Sequence, residues 1–202
     1  VVTGNTRRYG ASLEKITKVI DSRPGEIMFG LNMIVNKGKT VFVGDTSVHE
    51  YPSSEQLAEI AISSARVVRL FGFNPKVAFV SHSTFGQPLT SRTKHIKNAV
   101  NILKERNVDF KFDGDMQPDV ALNDEYKELY PFSEIVGNAN ILIMPGQHSA
   151  AISYKMMREL GGAKVIGPLL IGLGQPIEIA PLRSSTSDIL NLASVAAYSA
   201  GV

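Results

Sequence analysis

Residues 140–155 read Asn-Ile-Leu-Ile-Met-Pro-Gly-Gln-His-Ser-Ala-Ala-Ile-Ser-Tyr-Lys (NILIMPGQHSAAISYK). The apolar run 140–144 predicts a short buried strand. The spacing of Ser149–Leu160 predicts a helix, stopped by Gly161-Gly162. A strand opening onto a helix N-terminus is where α/β proteins place their ligands. The loop between the two carries His148 and Ser149.

The same alternation extends to both sides. Ser12–Ser22 has Leu13, Ile16, Val19 and Ile20 at helical spacing, and Arg23-Pro24-Gly25 stops it. Ile27–Val35 and Thr40–Val43 are rich in β-formers, and Asn36-Lys37-Gly38-Lys39 joins them as a hairpin. Ser53 with Gln56 makes a capping box for a helix running to about Phe71. Lys76–Val80 is a buried-type strand. The hydroxyl-rich loop Ser81–Arg92 leads from it into an amphipathic helix, Thr93–Arg106. Phe110–Phe112 is a short strand before the acidic stretch Asp113–Asp119. Val165–Leu173 and Pro176–Ala180 are apolar. Ser184 or Ser185 caps a last helix, Asp188–Ala200. Helices alternating with buried strands, plus one hairpin, predict a three-layer α/β/α fold around a mixed, mostly parallel sheet.

Composition narrows the class. The 202 residues are 44% hydrophobic and 20% charged, with mean hydropathy +0.02. No apolar run reaches the roughly 20 residues of a membrane helix, and no secretory leader is visible. The absence of cysteine excludes disulfides, thiolate nucleophiles and Cys-ligated zinc, and fits a cytoplasmic protein. A net charge of +2 on scattered Lys and Arg gives no nucleic-acid footprint. The apolar start at Val1, without Met, reads as a piece of a longer polypeptide.

Four stretches carry a resemblance: TSVHEYPSSEQLAEIAISSA (46–65), VAFVSHSTFG (77–86), FDGDMQPDVALN (112–123) and YKMMRELGGAKVIGPLLIGLGQPIEI (154–179). Together they resemble the phosphate acetyltransferase family, over nearly the whole chain. MPGQHSAAIS followed by GPLLIGLGQPIEIAPL is most similar to the acetyltransferase-like C-terminal region of large bacterial NADP-dependent malic enzymes. The resemblance implies two α/β lobes with a coenzyme A cleft between them. Residues 26–180 would form an inserted second lobe, and 1–25 with 181–202 parts of the first. It also implies an upstream malic enzyme domain holding NADP and Mg2+ or Mn2+, and a homo-oligomer that is at least a dimer.

The family reaction passes an acetyl group between phosphate and the thiol of coenzyme A. It requires cations at the phosphate, a base near the thiol and a donor for the tetrahedral intermediate. Active members resemble Ser-Arg-Gly-x-Ser followed by an Asp at the last helix. Here the stretch is Pro181-Leu182-Arg183-Ser184-Ser185, with Asp188 retained. A second family Arg falls on Glu14, although Arg7 and Arg8 are near in sequence. Active members also resemble Pro-Asp-x-Asn-x-Gly-Asn-x-x-Tyr-Lys. Here the Asp and both Asn are absent from Pro145–Lys155 and only Tyr154-Lys155 remains. These losses predict a pocket that keeps its walls but loses positive charge and acetyl transfer, and that binds acetyl-CoA as an effector; the alternatives are a working phosphate acetyltransferase and a non-catalytic oligomerisation module.

Candidate effector-binding residues are therefore Ser81, Ser83, Thr84 and Gly86, Arg92 (with Lys94 and Lys97), His148, Ser149, Arg183 and Ser184. Asp188 and Arg183 are the catalytic candidates if transfer survives, with capping of the last helix an equal reading of Asp188. His148 has two readings, ligand contact or an N-cap or subunit contact. His82 reads as a loop hydrogen-bonder, His49 and His95 as exposed, and Lys155 as solvated or ion-paired. Asp113, Asp115 and Asp119 lack the glycine and terminal Glu of a calcium loop and read as loop hydrogen-bond acceptors. The glycines of GLGQP (172–176) lead into a strand, so they are no dinucleotide fingerprint.

Overall fold

The computed structural model describes residues 1–126, 128–135 and 137–201, with the backbone alone at Arg92. The hairpin forms where the sequence places it. Strands β2 (Phe29–Asn36) and β3 (Lys39–Gly44) pair antiparallel with Asn36 opposite Lys39. The two loop residues, Lys37 and Gly38, have φ of 48° and 77°, the pair of positive values that a two-residue hairpin turn requires, and glycine takes the second without a Cβ in the way. With β4 (Lys76–Val80), β5 (Lys111–Met116), β6 (Ile141–Ile143) and β7 (Lys164–Ile171) they make a six-stranded sheet of order β5-β4-β6-β3-β2-β7. Contacts β5-β4, β4-β6 and β6-β3 are parallel. Those of β2 with β3 and β7 are antiparallel.

Period-2 alternation sends neighbouring side chains to opposite faces. Phe42, Val77 and Phe79 join the core under helices α2 (Ser54–Leu70) and α3 (Ser91–Glu105). Val43, Ala78 and Val80 join the core under α4 (Pro118–Leu122) and α5 (Gln147–Gly161). This is the three-layer α/β architecture expected.

A second, two-stranded sheet lies apart from the first. Strand β1 (Val2–Gly4) runs parallel to β8 (Glu178–Ala180), flanked by α1 (Tyr9–Thr17) and α6 (Thr186–Ala200). A small core of Leu170, Leu173, Ile177 and Ile179, with Tyr9, Leu13, Ile16 and Ile20, seals it to the large lobe. Residues 178–180 pair with β1 in register Val2–Glu178, Thr3–Ile179 and Gly4–Ala180, so they lie in the small sheet.

Three element ends also differ. Helix α1 starts at Tyr9 and ends at Thr17. Beyond it Val19 and Ile20 donate to the Ile16 carbonyl in a turn, and Val19 is exposed, so its apolar spacing carried no helix. Strand β5 continues through the acidic stretch to Met116, because neighbouring loops solvate its carboxylates. The short α4, with Pro118 at its start, was not anticipated. Among the described residues no helix is long and apolar enough to cross a membrane.

Candidate functional site

Where the two sheets meet, α5, the first half of β7, the turn 181–184 and the start of α6 enclose a cleft of about 530 Å³. Its lining carries four cations, Lys155 and Arg158 from α5, Lys164 from β7 and Arg183 from the turn, and the neutral polar groups Tyr9, Thr46, Ser47 and Tyr154, the last on α5 beside Lys155. Burial raises the phenol pKa values of both Tyr9 and Tyr154, so each stays protonated at neutral pH.

Asp188 is the carboxylate on the cleft lining. It is also the partner of Ser185 in the capping box of α6. Its Oδ2 accepts from Ser185 N–H at 2.9 Å and from Ser185 Oγ at 2.8 Å, while its own N–H donates to Ser185 Oγ at 3.2 Å. The backbone N–H and hydroxyl of Ser185 lower its pKa, helped by Arg158 and Lys164. The cap role read from the sequence is therefore present, within reach of the cations' field. Arg183 holds φ of 65°, the left-handed region that favours glycine, and in the family pattern a glycine occupies its position. Ser184 Oγ donates to the Pro181 carbonyl at 2.7 Å, which leaves its oxygen as an acceptor toward the cleft.

The expectation that the pocket has lost its positive charge is corrected here. Four cations line the cleft, and Arg158, Lys164 and Lys155 were not among the candidate residues. A signal for them existed. Residues 147, 151, 154, 155 and 158 recur at 3–4-residue steps, so they form one helix face. Of that face only Lys155 is weighed from the sequence, as solvated or ion-paired, and the cleft it lines is formed by residues distant in the chain.

The other candidates scatter. Ser81, Ser83 and Thr84 are buried, and none of them lines this cleft. Ser83 Oγ donates to Asp115 Oδ2, Gly86 N–H donates to Asp115 Oδ1 at 2.9 Å, and Phe85 N–H donates to the Asp115 carbonyl at 2.6 Å. That carboxylate takes up Ser83 Oγ and Gly86 N–H, two of the groups the sequence offered to a phosphate. Arg92 stands in the first turn of α3, and its side chain lies outside the described residues.

His148 and Ser149 line a second cavity, of about 500 Å³, where α2, α3 and α5 begin. His148 Nε2 lies 2.8 Å from Glu50 Oε1 and the ring stacks on Tyr51, while Ser149 Oγ donates to the Gly146 carbonyl at 2.8 Å. A Cβ on Gly146 would sit 2.3 Å from the Glu50 carbonyl oxygen, so only glycine lets the two loops cross. His49 and His95 are not free. His49 Nδ1 lies 2.7 Å from Asp45 Oδ2, and His95 Nε2 lies 2.7 Å from the Pro52 carbonyl. Glu14 is exposed and pairs with Lys18 at 2.7 Å, and Arg7 and Arg8 are exposed outside both cavities.

Residues 1–197 match the model of the phosphate acetyl/butaryl transferase family. The chain is 48% identical over 201 residues to an NADP-dependent malic enzyme of Rhizobium meliloti, covering 100% of itself and 26% of that protein. It is 33% identical to a phosphate acetyltransferase of Clostridium acetobutylicum, covering 61% of it. A phosphotransacetylase structure from Streptococcus pyogenes superposes with TM-score 0.93 at 29% identity, covering 98% of this chain and 62% of that one. The chain thus spans about a quarter of the malic enzyme's length. By its sequence from end to end and by its two-sheet fold, the chain belongs to the phosphate acetyl/butaryl transferase family.

Proposed function

We propose that this chain is the phosphate acetyltransferase-like domain of an NADP-dependent malic enzyme, and that its cleft binds acetyl-CoA as an allosteric effector without transferring the acetyl group. The observation that carries the reading is the composition of the cleft. Four cations supply what phosphate groups need. The position of the first Ser of the family's Ser-Arg-Gly-x-Ser pattern, the candidate oxyanion donor, holds Pro181, which has no hydroxyl. Losing one oxyanion donor typically costs on the order of 10²–10³ in rate, while binding asks only for cations and neutral donors. An effector shifts an enzyme by binding one of its states better than another, and a ligand held between two lobes is sensitive to their separation.

The malate, NADP and divalent-metal sites would belong to other segments of a cytoplasmic, at least dimeric, polypeptide. The opposing reading, a working phosphate acetyltransferase, is favoured by the surviving cations of the cleft and by the Clostridium relative. Two measurements on the full-length protein decide between them. Calorimetry should give acetyl-CoA binding that Arg158→Ala and Lys164→Ala each weaken about tenfold. An assay with acetyl phosphate and coenzyme A should give no turnover above background. Turnover at the level of active family members overturns the effector reading, and unchanged affinity in both variants removes the cleft as its site.

A further inference from the structure

Helix α5 presents three faces, and two of them are accounted for. Ala150, Tyr154 and Met157 pack into the core, and the row 147, 151, 154, 155 and 158 lines the cleft. The third row is Ile152, Met156 and Leu160. These side chains are 58, 54 and 82% exposed. They recur every four residues, so they form one ridge along the helix. A single exposed apolar side chain on a helix needs no explanation. Three in one row on the solvent side of an amphipathic helix do, because a continuous apolar patch marks a surface that another surface covers. Tyr51, also exposed, stacks on His148 one turn before Ile152 and extends the row.

The charges beside the ridge indicate what covers it. Lys155 and Glu159, both exposed, stand one turn apart on one flank. Lys155 Nζ lies over the Tyr154 ring, 5.7 Å from its centroid, and Glu159 Oε1 accepts from Arg158 Nε at 2.8 Å, which leaves Glu159 Oε2 to accept from another cation. The other flank carries the small Ser149 and Ser153, which let a second helix approach closely. A ridge with one cation and one anion in that order is complementary to itself when reversed. A second α5 laid antiparallel, with a two-fold axis level with Met157, brings Lys155 of each copy level with Glu159 of the other. A parallel copy would set Lys155 against Lys155. In the antiparallel register the ridges also interleave. Along the seam the order is Ile152, the second copy's Leu160, Met156, the second copy's Met156, Leu160, and the second copy's Ile152, about 3 Å apart at 1.5 Å of rise per residue.

We propose that Ile152, Met156 and Leu160 are the contact between two copies of this chain, antiparallel about Met157 and closed along one flank by two reciprocal Lys155–Glu159 pairs. This rests on the reading of the polypeptide as at least dimeric, and not on what the cleft binds.

Cysteine variants of the full-length protein, oxidised at low micromolar concentration beside wild type as blank, read the register on non-reducing electrophoresis. Met156→Cys should give a covalent dimer, because the two positions lie about 3 Å apart along the seam. Ile152→Cys and Leu160→Cys, about 15 and 9 Å from their own counterparts, should each give none, while the double variant I152C/L160C should link the copies. All are exposed positions, and their unfolding transitions should match wild type. In the Met156→Cys background, Lys155→Glu should lower the dimer yield several-fold, and adding Glu159→Lys should restore it. No dimer from Met156→Cys, equal dimer from all three single variants, or a link from Met156→Cys to another segment of the same polypeptide overturns the contact. If light scattering finds the full-length wild type monomeric, the dimeric reading falls with it. If it finds an oligomer while Met156→Cys gives no dimer, the ridge alone falls.

Discussion

The loop 81–86 and the interlobe cleft are both rich in hydroxyls, but they differ in what their polar groups are bonded to. In the loop, Asp115 takes up Ser83 Oγ and Gly86 N–H, and Ser81 Oγ meets Ser83 Oγ at 3.3 Å. The loop 45–49 is built the same way. Asp45 accepts N–H bonds from Gly30, Ser47, Val48 and His49 at 2.7–3.1 Å. These segments satisfy themselves internally. The lobe junction does not. Of the three buried side-chain atoms without a partner among the described residues, Asn32 Nδ2 belongs to a side chain bonded to Thr46 of the cleft lining and Asn191 Nδ2 to a residue lining the cleft, while Ser64 Oγ lies in α2. Glu178 is 3% exposed, and its carboxylate accepts from Leu170 N–H at 3.0 Å. A polar sequence marks a ligand site only where the fold leaves the polarity unspent.

Glu178 offers the largest test of that contrast. Burial raises its pKa from the ordinary 4.5 to about 8. The folded state therefore holds the proton more tightly than the unfolded chain. The contribution of Glu178 to stability is fully present below about pH 4.5 and is lost as pH rises through 8, a change on the order of 4 kcal/mol. Denaturant unfolding at pH 5 and pH 9 should show this decline in wild type. Glu178→Gln, which keeps the acceptor and cannot ionise, should remove that part of it. An unchanged difference between the two pH values would mean that the junction solvates its carboxylate as well as the loops do.

Asp115→Ala attacks the saturated side. It strands a buried hydroxyl and a buried N–H together, so it should cost about 3 kcal/mol in denaturant unfolding. Acetyl-CoA affinity of the folded protein should stay at the wild-type value, because loop 81–86 lies outside the cleft. A selective loss of affinity would return that loop to the ligand site.

The smallest effect belongs to the α6 cap. Ser185→Ala should cost about 1 kcal/mol, and the Asp188 carboxyl should titrate closer to an ordinary aspartate in an NMR pH series. The sign follows from the lowered pKa: the Asp188 contribution is present above its unfolded pKa and is lost as pH falls through the folded one. If Asp188 keeps its low pKa in the variant, Arg158 and Lys164 hold it instead, and the capping account gives way to a cleft-centred one.

The amino-acid sequence by itself determined most of the elements, leaving out β1 and α4. The capping boxes at Ser53 and Ser185, the Lys37-Gly38 turn and the left-handed Gly162 stop act over a few residues, so they are readable without a fold. It also determined the family, through motifs spread over the whole chain. Only tertiary structure decided which polar groups are free. Asp115 reaches Ser83 across 32 positions, and Glu50 reaches His148 across 98. The cations of the cleft come from a helix, a strand and a turn separated by up to 28 positions, from Lys155 to Arg183. Hydrogen-bond satisfaction is a long-range property, because a donor is spent or spare according to what packing brings within about 3 Å of it.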